Sequence, residues 1–402
     1  MDVLALQVHK SLSRHLASRV LAPRLPGVVS GGLAPLRLVS TGAPRVAADG
    51  WGRVRPRLSG ICGSDLSMLS GGTSPYFSAL VTFPITPGHE LVGDLLDDVE
   101  DLPRGTRVVI DPVLSCAPRG LAPCEACTAG HTGRCTHVTV GHLAPGLQTG
   151  YCADVGGGWS QQLVAHRSQL YPVPDTLDDA RAVLVEPLAC AIHAALRAEV
   201  RSDEQVLVAG SGTVGLLTIL ALRALTDAGR IVATAKHPRQ QALARAMGAS
   251  SVTPVGQATG AVRRDTRALR LRPDLGADFL LGGVDVALDC AGSRSSLDLA
   301  LRATRAGGRV VLTGMPPQGV DLSPAWFREL SVLGAYATGR EPTHGGRSSF
   351  ELALELAATA PLDELALATY PLQHWRQAVD HAMDAGRLGT AKVAFDLTAA
   401  RN

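Results

Sequence analysis

Lysine is nearly missing from this chain of 402 residues: Lys10, Lys236 and Lys392 stand among 38 cationic residues, so the position of each carries information. Aromatic side chains are also scarce, at 4%, which makes Trp51, Tyr76, Phe77, Trp159 and Trp326 candidates for lining a ligand pocket. Charge of one sign is not in excess either. The formal net charge is +2 and basic residues are spread along the chain, which argues against nucleic acid or an anionic membrane as the main partner. No apolar run reaches the roughly 18 residues of a membrane span, and the oiliest stretch, Leu216 to Leu225, is broken by Arg223. Acids are missing from the first 48 residues, Asp2 excepted. No apolar secretory core accompanies that bias, and the segment is read as leading into the first strands.

What is present is apolar material for two cores. Hydrophobic residues make up 46% and charged residues 18%, and the length suits two domains. Residues from about 35 to 175 are rich in Gly and Pro and carry short β-branched runs such as Leu163 to Ala165, the texture of an irregular β domain. From about 190 the pattern alternates. Val206–Ala209, Arg230–Thr234, Val284–Leu288 and Arg309–Thr313 read as buried parallel strands, with helical patterns such as Leu216–Thr226 and Arg239–Met247 between them. That is a doubly wound α/β pattern. The Arg-rich stretch from Val255 to Gly283 reads as an insertion, and Lys392 to Leu397 as a last strand. Eight cysteines are present, four of them between Cys116 and Cys135. In a long chain without an export signal, clustered thiols point to a metal.

The strand Val206–Ala209 runs straight into Gly210-Ser211-Gly212-Thr213-Val214-Gly215 and then a helix. One glycine makes the tight turn, one lets the backbone approach a pyrophosphate, and one lets helix pack on strand, with the positive helix end facing the phosphates. A nucleotide with a free ribose 2′-hydroxyl usually meets an acid about 20 residues on. Here the turn reads Thr234-Ala235-Lys236-His237-Pro238-Arg239 and holds no acid. Lys236 and Arg239, with His237 between them, would attract a 2′-phosphate, so NADP is favoured over NAD.

Three further segments carry a resemblance. They are Gly60-Ile61-Cys62-Gly63-Ser64-Asp65, Pro87-Gly88-His89-Glu90-Leu91-Val92-Gly93 and Val185-Glu186-Pro187-Leu188. In this order, upstream of the dinucleotide loop, they resemble the zinc-containing medium-chain dehydrogenases of the alcohol, sorbitol and threonine dehydrogenase type, over nearly the whole chain from about residue 35. The resemblance implies catalytic zinc on Cys62 and His89, with Glu90 or Glu186 completing the set. Thiolate, imidazole and carboxylate are donors zinc accepts, and an open position receives the substrate oxygen. Ser64 matches the hydroxyl that passes the alcohol proton outward. Ser67 stands where the resemblance often places a histidine, and Asp65 is expected to orient the ligands. Cys124, Cys127 and Cys135 are spaced C-x2-C-x7-C, as in that family's structural zinc lobe. Leu121 occupies the place of the usual first cysteine, so Cys116 is the expected substitute, with His131 or His137 as alternatives. Cys290 falls near the expected nicotinamide ribose, and a small buried thiol is its default role.

The implied fold is α/β, with a GroES-like β-rich catalytic domain (1–188), a Rossmann domain (189–338) and a C-terminal segment (339–402) returning to the catalytic domain. The active site is expected in the cleft between the two domains. The implied activity is hydride transfer between an alcohol or polyol, or the matching carbonyl, and NAD(P). The enzyme is expected in the cytoplasm as a homodimer or homotetramer, joined near Ser331–Ala337. Two other readings stay open. One is a biosynthetic reductase or redox-neutral enzyme using a transient hydride, for which Ser67 leaves room. The other is a cofactor-binding relative without chemistry, against which Cys62, His89 and Ser64 argue.

Overall fold

The computed structural model describes residues 2–22, 24–32 and 34–398. The chain forms two compact units. The first takes residues up to 186 with 338–340 and 366 onward, and the second takes 187–337 with 341–365. Residues 341–365, including the helix Ser349–Thr359, thus group with the second unit, so that after a brief return at 338–340 the chain rejoins the first from 366.

The first unit is built on a seven-stranded sheet. Its order is Leu367–Pro371, Lys392–Asp396, Trp51–Gly60, Leu91–Leu95, Arg107–Ile110 and Leu170–Pro172, with Leu163–His166 also paired to Trp51–Gly60. The central strand shows why this segment is β. Val54, Pro56 and Leu58 are buried while Arg53, Arg55 and Arg57 alternate outward, the period-two pattern of a half-buried strand. The outward arginines meet acids: Arg53 bonds Asp97 at 2.9 Å and Arg57 bonds Asp179 at 2.6 Å. Pro56 has no amide to give, and the ladder to Leu91–Leu95 shifts register between Pro56 and Leu58. A second core joins the hairpin Asp2–Val8/Leu36–Gly42 to Trp159, Phe395 and the helix Trp375–Leu388. The segment before residue 36 is therefore more than a lead-in: it contributes a strand and the helix Leu12–Leu21.

In the second unit six parallel strands lie in the order 251–253, 230–234, 205–209, 284–289, 304–312 and 331–334. Strand order reverses beside Gln205–Ala209, which is the switch point where doubly wound sheets bind ligands. Val206 to Ala209 are all buried, as expected of a strand covered on both faces. The Arg-rich insertion folds as the helix Ala258–Thr266 and a hairpin of Leu269–Leu271 with Phe279–Leu281. Among the described residues, no helix is long and apolar enough to cross a membrane.

Candidate functional site

Cys62 follows the central strand of the first unit, two residues past Gly60, and caps the helix Gly63–Leu69. His89 and Glu90 directly precede the neighbouring strand Leu91–Leu95. Because the two strands are hydrogen-bonded, the Gly-Ile-Cys and Gly-His-Glu motifs arrive side by side. The donor atoms of Cys62, His89 and Glu90 lie within 4.8 Å of one another. Glu186 is buried in the first turn of Val185–Arg197 and acts electrostatically on His89, but it is not in that donor set.

The surroundings fix each donor. The Cys62 amide donates to Asp65 Oδ2 at 3.0 Å, and the other Asp65 oxygen faces His89 Nδ1 at 3.7 Å. Both of those facing atoms are buried without a hydrogen-bond partner. A carboxylate on one ring nitrogen aims the other at the metal position, and here Nε2 lies 3.5 Å from Ser64 Oγ. Burial alone would lower the His89 pKa, but Asp65, Cys62 and Glu186 raise it well above its usual value. Excess negative charge of this kind suits a dication. Glu90 is paired to Lys392, and the lysine ammonium lies inside the unit. Gly60 makes room for the pair, since a Cβ there would meet Lys392 Cε at 2.6 Å.

A second donor cluster lies in the same unit. The sulfurs of Cys116, Cys124, Cys127 and Cys135 are mutually within 4.8 Å, and Cys116 lies 3.5 Å from Cys135. Tetrahedral zinc with bonds of about 2.3 Å has an S···S edge of about 3.8 Å, so the donors fit. Amides of Cys124 and His137 donate to Cys116 and Cys135 sulfurs, each at 3.3 Å. Bonds from the Thr136 and Cys127 backbone hold the Cys124 thiol near pKa about 5, while burial pushes Cys135 up. Cys116 occupies the fourth corner despite its unusual spacing, and His137 Nδ1 stands 3.3 Å from it. Arg119, fully buried behind the lobe, spans carbonyls of Leu114, Val140, Leu143 and Gly146 at 2.7–3.1 Å.

In the second unit Gly210 has φ +109°, and Gly215 packs so closely that a Cβ would run into the Gly210 carbonyl. Gly212 starts the helix Thr213–Leu225 with no side-chain cap, and nothing lies within 4 Å of where its Cβ would be. Thr213 and Val214 form the first turn. The loop is fastened to the next strand by the Gly210 amide on Thr234 Oγ1 (2.9 Å) and by Ser211 Oγ on the Thr234 carbonyl (2.8 Å). That fastening brings Thr234-Ala235-Lys236 beside the loop. Lys236 is exposed. His237 caps Pro238–Ala246, its amide donating to Gln240 at 3.4 Å, and Arg239 donates to the Glu364 carbonyl at 3.1 Å. The Cys290 sulfur lies 3.7 Å from Thr218 Oγ1 on the loop helix, and burial raises its pKa to about 12.

Against known proteins, the chain is 30% identical to L-idonate 5-dehydrogenase of Vitis vinifera, over 86% of this chain and 87% of that one. The chain belongs to the zinc-containing medium-chain dehydrogenase/reductase superfamily. Residues 48–175 match the alcohol dehydrogenase GroES-like domain, and 213–359 match the zinc-binding dehydrogenase domain. Sorbitol dehydrogenase of Arabidopsis thaliana is 29% identical over 94% of this chain and 95% of its own. The fold also matches the solved structure of L-idonate 5-dehydrogenase from Escherichia coli. There the TM-score is 0.71 and the identity 24%, over 98% of both chains.

Within this medium-chain dehydrogenase frame, some residues went unread in the sequence. Lys392 is adjacent to Glu90 only through the pairing of strands far apart in the chain. Tyr151, whose ring centroid lies 5.9 Å from that of His89, sits in an irregular loop with no motif to mark it. The aromatic candidates divide. Trp159 is fully buried, donating to the Gly60 carbonyl at 3.1 Å and stacked edge-on to Phe395, so it is core and not pocket. Trp326 is 83% exposed.

Proposed function

We propose that this chain is a zinc-dependent dehydrogenase that moves a hydride between an alcohol or polyol, or the matching carbonyl, and NADP. The observation that carries the reading is the convergence of Cys62, His89 and Glu90, with Asp65 behind the imidazole and Ser64 beside it. When bound there, zinc supplies a Lewis acid for the substrate oxygen, and NADP supplies the hydride acceptor. Asp65 holds the His89 ring in orientation, and Lys392 offsets the Glu90 charge. Ser64 Oγ, 3.5 Å from His89 Nε2, takes the alcohol proton, and Ser67 stands where the family often has the histidine of the outer relay. Glu186 is the reserve carboxylate of the site.

The second zinc belongs to Cys116, Cys124, Cys127 and Cys135, a closed set with no vacancy for substrate. Gly212 gives the pyrophosphate its approach while Gly210 makes the turn and Gly215 packs the helix on it, and Lys236 with Arg239 meets the 2′-phosphate. The edge strand Ser331–Gly334, with Val332 exposed, is where two copies would pair into a homo-oligomer. Thiols serving as metal donors fit a reducing cytoplasm.

The test is elemental zinc analysis with fluorescence titration of NADPH and NADH, followed by turnover of polyols. About two zinc ions per chain, with NADPH the tighter binder, support the reading. Product accumulating without net change in nicotinamide absorbance would transfer it to the redox-neutral class.

A further inference from the structure

Between the paired strands Asp2–Val8 and Leu36–Gly42, where a short turn would close the hairpin, the chain inserts residues 9–35 and the helix Leu12–Leu21. This helix is mounted in reverse. Its inner side is mostly small or polar: Ser18 and Ala22 are buried, Leu21 is half-buried, and the Arg14 guanidinium donates to the carbonyls of Gly32 and Ala34 at 3.2 and 3.0 Å. Its backbone rests on Gly71, φ +72°, where a Cβ would meet the His15 carbonyl at 2.8 Å. The outer side carries Leu12, Leu16 and Val20, one turn apart and 73%, 51% and 65% exposed, with Leu25 following at 58%. A helix on a globular protein ordinarily turns such a stripe inward, and a contiguous apolar patch facing out marks an interaction surface.

The charge around the stripe says what it meets. Exposed Lys10, Arg19 and Arg24 flank it. Residues 3–48 hold six arginines or lysines and no acid, while the rest of the chain holds 32 basic against 36 acidic residues. The near-zero net charge of the whole chain is therefore the sum of a cationic segment and an anionic remainder. A second copy meeting the stripe across a two-fold axis would set these cations against themselves.

We propose that the helix Leu12–Leu21 docks this protein on an anionic phospholipid surface, with Leu12, Leu16 and Val20 in the acyl boundary and Lys10, Arg19 and Arg24 on lipid phosphates. Leucines on one face and cations beside them are the makings of a helix that lies in a membrane interface without spanning it.

The experiment is co-sedimentation of the full-length protein with vesicles of phosphatidylcholine alone or with about one third phosphatidylglycerol. Binding to the anionic vesicles is expected to be about tenfold tighter than to neutral ones and to weaken with salt. The triple variant Leu12→Ser, Leu16→Ser, Val20→Ser should lose that binding at unchanged melting temperature, because the three side chains are exposed. Lys10→Glu with Arg24→Glu should abolish the preference for anionic lipid. Sedimentation of wild type and triple variant alike, or no binding by either, overturns the proposal. So does a change of oligomeric size in the triple variant, which would make the stripe a contact between copies.

Discussion

Lys392 and Glu90 form an ion pair sealed inside the β-rich unit, their side chains 3% and 2% exposed. Burial by itself would lower the Lys392 pKa, yet Glu90, Cys62 and Glu186 raise it, so the ammonium is held by negative charge on several sides. Removing one partner of a buried pair strands the other charge. Lys392→Met should cost about 3–5 kcal/mol of stability in urea unfolding. Lys392→Met with Glu90→Gln should recover at least half of that, since no lone charge then remains. A single variant as stable as wild type would show that water reaches the pair.

Lys236 follows Thr234, the residue that anchors the glycine loop through the Gly210 amide. On the proposed NADP reading, reversing its charge acts on the 2′-phosphate and leaves the pyrophosphate cradle untouched. Lys236→Glu should weaken NADPH about tenfold or more, equivalent to about 1.4 kcal/mol, with NADH affected much less. Equal losses for both nucleotides would point to damage of the loop and not to lost phosphate recognition.

Asp111 supplies a pH dependence that can be isolated. Its carboxyl is half-buried, accepting from the Val113 amide at 3.2 Å and the Thr338 hydroxyl at 3.0 Å. Burial raises its pKa from 3.8 to about 6 against those two bonds. A folded-state pKa above the unfolded value gives a contribution fully present below pH 3.8 and lost as pH rises through about 6. The ionised form above that window costs about 3 kcal/mol. Asp111→Asn should therefore match wild type near the bottom of the window and exceed it at pH 7.5, measured as unfolding free energy against pH. A difference constant with pH would rule out titration of this group.

Much of this was legible because it is local. The strand-loop-helix at 206–225 is written in consecutive residues: Gly210 takes a positive φ, Gly215 packs on the Gly210 carbonyl, and Gly212 leaves open space at the helix start. Cys62 and His89 could be paired through motif order before their strands were known to be neighbours. The illegible parts depend on distant pairing. Lys392 reaches Glu90 because Lys392–Asp396 lies against Trp51–Gly60, a pairing that no spacing rule encodes. Leu12, Leu16 and Val20 show helical period, a pattern that ordinarily marks an inward face. Only packing shows that Gly71 accepts the opposite side. Trp159 went the other way, since a scarce aromatic suggests a pocket while Gly157 and Gly158 let the chain beside it pack closely on Thr86, Pro87 and Ser59.

The cysteine lobe carries one ambiguity that zinc content can decide. Cys116 holds the fourth corner, yet His137 Nδ1 lies 3.3 Å from its sulfur, within a small movement of replacing it. Arg119 adds positive charge behind the cluster, which favours a doubly anionic four-thiolate site over the singly anionic one that His137 in place of Cys116 would give. Cys116→Ser should therefore drop zinc from about two ions to about one per chain and lower the melting temperature, with the Cys62 site still loaded. Cys62→Ala should lose the other ion and all turnover while leaving the lobe and the melting temperature near wild type. Cys116→Ser keeping both ions, and losing one only when His137→Ala is added, would make the imidazole a competent ligand. That result would reassign the sulfur of Cys116 to packing.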